Sequence, residues 1–353
     1  MTTLHIAVAA PANDLWVLFR DGVRHFAVIM PLILTLPLFL VWLERKVSAR
    51  IQARLGPTRV GPAGVLQTFA DMMKLLFKEI ITPSGADRVI FYLAPLLPIT
   101  ATCLVLPVIP FSSTWQIADP ELGVIYVLGI SGLGIFGVLL AGWASNNKFS
   151  LLGALRCGAQ MISYEISIAM LILFVVMMSG ETSLHNIVVS QQGTVFDWWV
   201  FKVPGLGILA FCLYIISSTA ELNRGPFDIA EAEQELTAGF HTEYAGMGFA
   251  MFFLAEFVNL SVAAFLGTIF FLGGYLAPQF GWAPLDRVLA FVPEVIWFNL
   301  KSMVFIMIYM LLRWTYPRPR VDQLLALEWK VLLPINICLL VVGGLFIYLG
   351  WIL

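Results

Sequence analysis

Eight stretches of this chain are each long and apolar enough to cross a lipid bilayer, and that constrains the fold more than any motif. A spanning helix needs about 20 predominantly apolar residues to cross a hydrocarbon core about 30 Å thick. Phe26–Leu43, Val89–Phe111, Leu122–Ser145, Ala159–Met178, Val203–Ala220, Ala245–Ala277, Val295–Leu312 and Val331–Leu353 meet that requirement. The sixth exceeds it, which predicts a tilted or bent helix. The composition agrees: 60% of the 353 residues are hydrophobic and 12% charged, against about 25% charged in soluble domains. The expected fold is all-α, a polytopic membrane helix bundle of about eight spans. It occupies residues 1–353 as a single integral membrane domain, without a soluble domain or an internal repeat. At the N-terminus, Ile6–Ala12 is apolar, but no Lys or Arg precedes it and Asp14 follows. That pattern lacks the basic start of a signal peptide, so the segment is expected to stay attached.

Lys and Arg set the expected orientation, because basic residues concentrate in cytoplasmic connections. With eight spans, the first, third, fifth and seventh connections share one side. Together they carry fifteen basic residues: Arg45, Lys46, Arg50, Arg54, Arg59, Lys74, Lys78, Arg88, Lys148, Arg156, Arg224, Arg313, Arg318, Arg320 and Lys330. The opposite side carries four: Arg20, Arg24, Lys202 and Arg287. Both termini are therefore predicted outside, with the long first connection inside.

The inner connections hold most of the chain's polarity. In residues 44–88, the stretch Gly64–Glu79 places Leu66, Phe69, Met73, Leu76 and Ile80 on one helical face and Gln67, Asp71, Lys74 and Lys78 on another. This predicts an amphipathic helix lying in the interface plane, packed on the bundle as a surface helix or roofing a cavity. Residues 221–244 form an acidic inner loop with six carboxylates (Glu221, Asp228, Glu231, Glu233, Glu235 and Glu243) and one arginine, Arg224. Asp228, Glu231 and Glu235 share a face if that segment is helical, and the interleaved Phe227, Ile229, Leu236 and Phe240 argue for burial. Crowded or buried carboxylates resist ionisation, which suits a protein that handles protons or a polar headgroup at a membrane. Between spans seven and eight, Pro317 and Pro319 forbid a continuous helix. Arg313, Arg318 and Arg320 there are natural partners for the acidic loop.

Ionisable side chains inside spans are costly and usually functional. Glu165, Glu256 and Lys301 are such groups. The four cysteines, Cys103, Cys157, Cys212 and Cys338, show no metal-ligand spacing, and the four histidines are scattered. No nucleophilic triad, phosphate-binding glycine loop or zinc-type His pair occurs, and net charge −2 without a basic run gives no reason to expect nucleic acid.

Several long segments resemble the H subunits of proton-pumping NADH–quinone oxidoreductase, respiratory complex I (the complex I subunit 1 family). They are LERKVSARIQARLGPTRVGPAGVLQTFADMMKLLFKE (43–79), AQMISYEIS (159–167), AELNRGPFDIAEAEQELTAGFHTEYAGM (220–247), FFLAEF (252–257) and PRPRVDQL (317–324). They occur in the family's order and cover nearly the whole chain. The resemblance implies a membrane subunit that forms the quinone gateway and chamber and couples quinone reduction to proton translocation. It implies that Arg45, Arg54 and Asp71 shape the quinone chamber; Phe69 and Arg313 are counted with them as quinone contacts. Glu165, Glu221, Asp228, Glu231, Glu233, Glu235, Glu243 and Glu256 then form the acidic proton path. No redox cofactor is expected on this chain. NADH, FMN and iron–sulfur clusters belong to partner subunits, quinone is the substrate, and the expected site is the bacterial inner membrane. Pro319, Val321 and Ala230 depart from the family pattern without touching an ionisable group. Two rival readings are a hydrogenase-type membrane anchor of the same superfamily and a standalone secondary transporter. The complete GPTRVGP segment (56–62) with its Arg45-bearing loop counts against the first, and the absence of inverted halves counts against the second.

Overall fold

The computed structural model of the chain describes residues 15–203, 205–229 and 237–350. Nine helices organise these residues: α1 (Leu15–Ile51), α2 (Gln67–Phe77), α3 (Arg88–Val108), α4 (Gly123–Ala144), α5 (Lys148–Ser179), α6 (Leu206–Glu221), α7 (Met247–Phe271), α8 (Glu294–Thr315) and α9 (Val321–Tyr348). Short helical turns lie in the connections, and no strand occurs among the described residues. Six of these, α3, α4, α5, α7, α8 and α9, are long and apolar enough to cross a membrane, and α6 is a shorter apolar helix. The first predicted span lies within α1. The protein is a multi-pass membrane helix bundle.

α5 and α7 are the two hubs. α5 packs against α4, α6 and α9, while α7 packs against α8, α3 and α1. α7 is the most enclosed of the six spans and α9 the least. The main core joins Tyr164, Phe174, Tyr214, Phe257, Phe265, Phe298, Phe305 and Tyr309 with aliphatic side chains from most of the helices.

Several helices overrun the limits set by hydropathy. α1 continues to Ile51, so the connection expected from residue 44 begins inside a helix. The reason is that Glu44 is buried and ion-paired, and a paired carboxylate need not end a buried helix. α5 starts at Lys148, eleven residues before the predicted Ala159. Its N-cap is Asn147, whose side chain accepts from the Phe149 N–H at 3.0 Å. α7 stops at Phe271, short of the predicted Ala277, because Gly273 and Gly274 adopt left-handed φ of 69° and 51°. α9 starts at Val321, ten residues before the predicted limit, and contains a π turn at Glu328–Leu332. α8 ends at Thr315 and α9 begins at Val321, with Pro317 and Pro319 between them as expected.

Candidate functional site

Two neighbouring cavities open among α1, α6, α7 and α8, and the sequence's ionisable residues gather around them. The first, about 240 Å³, is lined by Arg45, Arg54, Arg224 and Arg313 together with Glu44, Glu256 and the apolar Val41, Phe253, Phe257 and Trp314. The second, about 140 Å³, lies deeper, among α3, α4, α5, α6 and α7. Its polar lining is Thr102, Ser131, Tyr214, Glu221, Asn223, His241, Glu256 and Asn259. A bulk water occupies about 30 Å³, so the deeper cavity has room for several. Glu256 lines both cavities.

An ion-pair network separates them. Arg224 is 3% exposed at its side chain and reaches Glu44 at 2.5 Å and Glu256 at 2.8 Å. Its guanidinium also lies over the Phe257 ring, 4.3 Å from the centroid. Arg313 pairs with the second oxygen of Glu44. A buried guanidinium is tolerable only when its charge and donors are met, and here two carboxylates and a ring face meet them. Glu44 thus bridges Arg224 and Arg313, joining the end of the first span to α8 and to the acidic loop.

The first connection contributes through α1 and α2. Arg45 pairs with Asp71 at 2.5 Å, and Gln67 donates to the other Asp71 oxygen at 3.1 Å. Asp71 therefore fixes the Arg45 side chain against α2 without lining either cavity itself. Arg54 lines the larger cavity and donates to Gln52 at 2.7 Å. α2 is shorter than the predicted Gly64–Glu79, since a separate turn at Pro62–Gly64 precedes it and Lys78 is already extended. It packs on α1 and α7. Leu66, Phe69 and Leu76 stay exposed, and Phe69 lies outside both cavity linings.

The acidic loop is fastened at both ends. Arg318 donates to Asp228 at 2.8 Å. The loop's other end is held by Asn147, which donates to Glu243 at 2.6 Å while it caps α5. Gly153 of α5 lets the turn Gly239–His241 come close: a Cβ there would sit 2.8 Å from the Gly239 Cα. Tyr244 stacks on Phe91 with centroids 4.2 Å apart and donates to the Phe91 carbonyl, and burial raises its phenol pKa above the usual range. Of the three arginines expected to serve this loop, Arg318 does so. Arg313 serves Glu44 instead, and Arg320 is exposed, its N–H bonded to Gln323. Glu231, Glu233 and Glu235 lie outside the described residues, and with them the helical face expected of Asp228, Glu231 and Glu235.

Glu165 projects from α5 toward α4, where Ser131 donates to it at 2.8 Å. Lys301, the third ionisable group within a span, has a different task. Its Nζ donates to the carbonyls of Leu272, Gly274 and Leu276 at 2.7, 3.1 and 2.6 Å and lies over the Trp198 ring. All three donors are spent on the C-terminal end of α7, where a cation also suits the helix dipole.

The sequence reading missed Glu44, Asn147 and His241 as members of this site. Glu44 reads as the first charge of a loop because Arg45 and Lys46 follow it. Its place one residue past an apolar run does not reveal its partners, Arg224 and Arg313, which lie far away in sequence. Among the described residues no group of three His, Cys, Asp or Glu side chains could hold a metal, and the four cysteines form no disulfide with one another.

A family profile described as NADH dehydrogenase matches residues 23–344. The NADH-quinone oxidoreductase H subunit of Phocaeicola vulgatus is 45% identical over 302 residues, 85% of this chain and 84% of that one. The H subunit of Bacteroides thetaiotaomicron is 42% identical over 334 residues, 94% of this chain and 92% of its own. The second H subunit of Koribacter versatilis is 43% identical over 336 residues, 90% of this chain and 94% of its own. The profile spans the helices that carry both cavities, the Arg224 network and the acidic loop, and with the relatives it places this chain in the NADH dehydrogenase family of NADH-quinone oxidoreductase H subunits.

Proposed function

We propose that this chain forms the quinone chamber of a proton-translocating NADH–quinone oxidoreductase and passes the consequence of quinone reduction to a proton path. The observation that carries the reading is Glu256: it lines both cavities while paired with Arg224. The arginine-lined cavity offers positive charge and apolar wall to a quinone headgroup that becomes more basic as it is reduced. The deeper cavity offers carboxylates at Glu221 and Glu256 with space for water, which is what proton transfer through a bundle requires. When charge changes on the chamber side, the Arg224–Glu256 pair tightens or loosens, and the proton affinity of Glu256 changes with it. Asp228, Glu231, Glu233, Glu235 and Glu243 extend the acidic surface on the inner side, and Glu165 extends it into the bundle.

In this reading the chain binds no redox cofactor. NADH, FMN and iron–sulfur clusters sit in partner subunits that cover the arginine-rich side, and small membrane subunits flank the lipid-facing helices. The chain sits in a bacterial inner membrane with both termini outside.

The test is Glu256→Gln in the assembled complex, with quinone reduction and proton translocation measured in the same vesicles. The expected result is intact assembly with translocation per quinone reduced several-fold lower. Wild-type translocation in a fully assembled Glu256→Gln complex removes Glu256 from the path.

A further inference from the structure

We propose that Glu328 is a proton-binding site inside the membrane domain, separate from the acidic loop and the two cavities. It is the first residue of the π turn Glu328–Leu332 in α9, and it is 0% exposed. One oxygen accepts a hydrogen bond from the Ser167 hydroxyl of α5. Ser167 in turn accepts from the Asn336 amide at 2.9 Å, so its own proton is committed to Glu328. The other Glu328 oxygen, Oε2, is buried and finds no partner among the described residues, and the same is true of the Asn336 carbonyl oxygen. No cation pairs with Glu328 among the described residues, and Lys330 two positions on is exposed.

An ionised carboxylate in that place would be buried, unpaired and short of donors, the costliest way to keep such a group. Binding one proton eases the charge and the shortage of donors, though not the burial. The charge disappears, and Oε2 changes from a buried acceptor without a donor into a donor. Glu328 opens the π turn and Asn336 follows in the α-helical part of α9, and both meet the same Ser167 hydroxyl; such turns recur at functional positions. The elements packed against the turn offer few competing groups. α5 brings Tyr164, whose hydroxyl is spent on the Leu324 carbonyl. Glu165, two residues from Ser167 and so about 200° around the helix, faces α4. The proposal does not depend on the quinone reading, because it concerns the opposite face of α5.

The experiment uses the assembled complex, with glutamate carboxyl carbons isotopically labelled, and compares infrared spectra of wild type and Glu328→Gln at neutral pH. The expected difference is the C=O stretch of a protonated carboxyl, present in wild type and lost in the variant. Ser167→Ala should keep that band and move it to higher frequency, because it removes a hydrogen bond to the carbonyl oxygen. Loss of a carboxylate band in its place overturns the proposal. So does failure of Glu328→Gln to assemble, since a neutral amide of the same shape can donate from the position of Oε2.

Discussion

At the residue scale, the informative contrast is between carboxylates that stand out in the sequence and those that do not. Glu165 and Glu256 are legible because each interrupts an apolar run, and both turn toward polar partners between helices. Glu44 is at least as deeply committed, yet it sits in a charged cluster where hydropathy carries no information about burial. Its role depends on Arg224 and Arg313, 180 and 269 positions away in sequence, and no local pattern encodes a partner at that distance. Removing Glu44 leaves the nearly enclosed Arg224 with one carboxylate, and breaking a buried pair costs about 3–5 kcal/mol. Glu44→Ala should therefore lower the yield of assembled complex, while Glu44→Gln, which keeps the shape and one acceptor, assembles better. Quantifying assembly by native gel for both variants checks this; equal assembly of Glu44→Ala and wild type would show that the network is dispensable. Lys301 teaches the reverse lesson. Its burial was legible, but its use was not, because its partners are backbone carbonyls that carry no sequence signature. Lys301→Met orphans those carbonyls, at about 1–3 kcal/mol for a buried group. It should lower the thermal denaturation midpoint of the complex with little change in quinone affinity.

At the element scale, hydropathy located the helices and misjudged their ends. Lys148–Gly158 extends α5 in a stretch too polar to score as membrane, because the Gly239–His241 turn and the Asn147 cap cover that part of the helix. The amphipathic pattern of α2 was legible to within a turn, but which face it covers was not. Phe69 and Leu76 of α2, and Leu66 just before it, are left uncovered by this chain, while Asp71 pairs with Arg45. If the uncovered side meets an isoprenoid tail, Phe69→Gln should raise the apparent KM for a long-tailed quinone several-fold and leave that for a short-tailed analogue nearly unchanged. Equal effects on both substrates would remove α2 from the tail's route. Arg45→Ala and Asp71→Asn should raise the same KM without adding to each other, as expected for two residues that act as one pair.

At the scale of the whole molecule, the acidic loop is a strap whose anchors lie on different helices. Asp228 is tied to the connection before α9, Glu243 to the start of α5, and Arg224 to α1 and α7. In the proposed reading a change of charge in the chamber is thus felt by four helices at once, whereas Glu165 sits at the contact between α4 and α5. Position in this network orders the expected phenotypes. Asp228→Asn keeps the shape of the side chain but removes the charge that holds Arg318, so the strap loosens next to the chamber. Quinone reduction and proton translocation should fall together, each several-fold. If Glu165 carries protons beyond the strap, Glu165→Gln should lower translocation while quinone reduction stays near wild type. Both variants are to be measured in inverted vesicles with assembly verified, following quinone reduction by NADH oxidation and translocation by a pH-sensitive dye. An assembled Asp228→Asn complex with both activities at wild-type levels would mean that the strap holds the bundle together and transmits nothing. The same fall in both activities for Glu165→Gln would place Glu165 on the chamber side and reverse the order of the path.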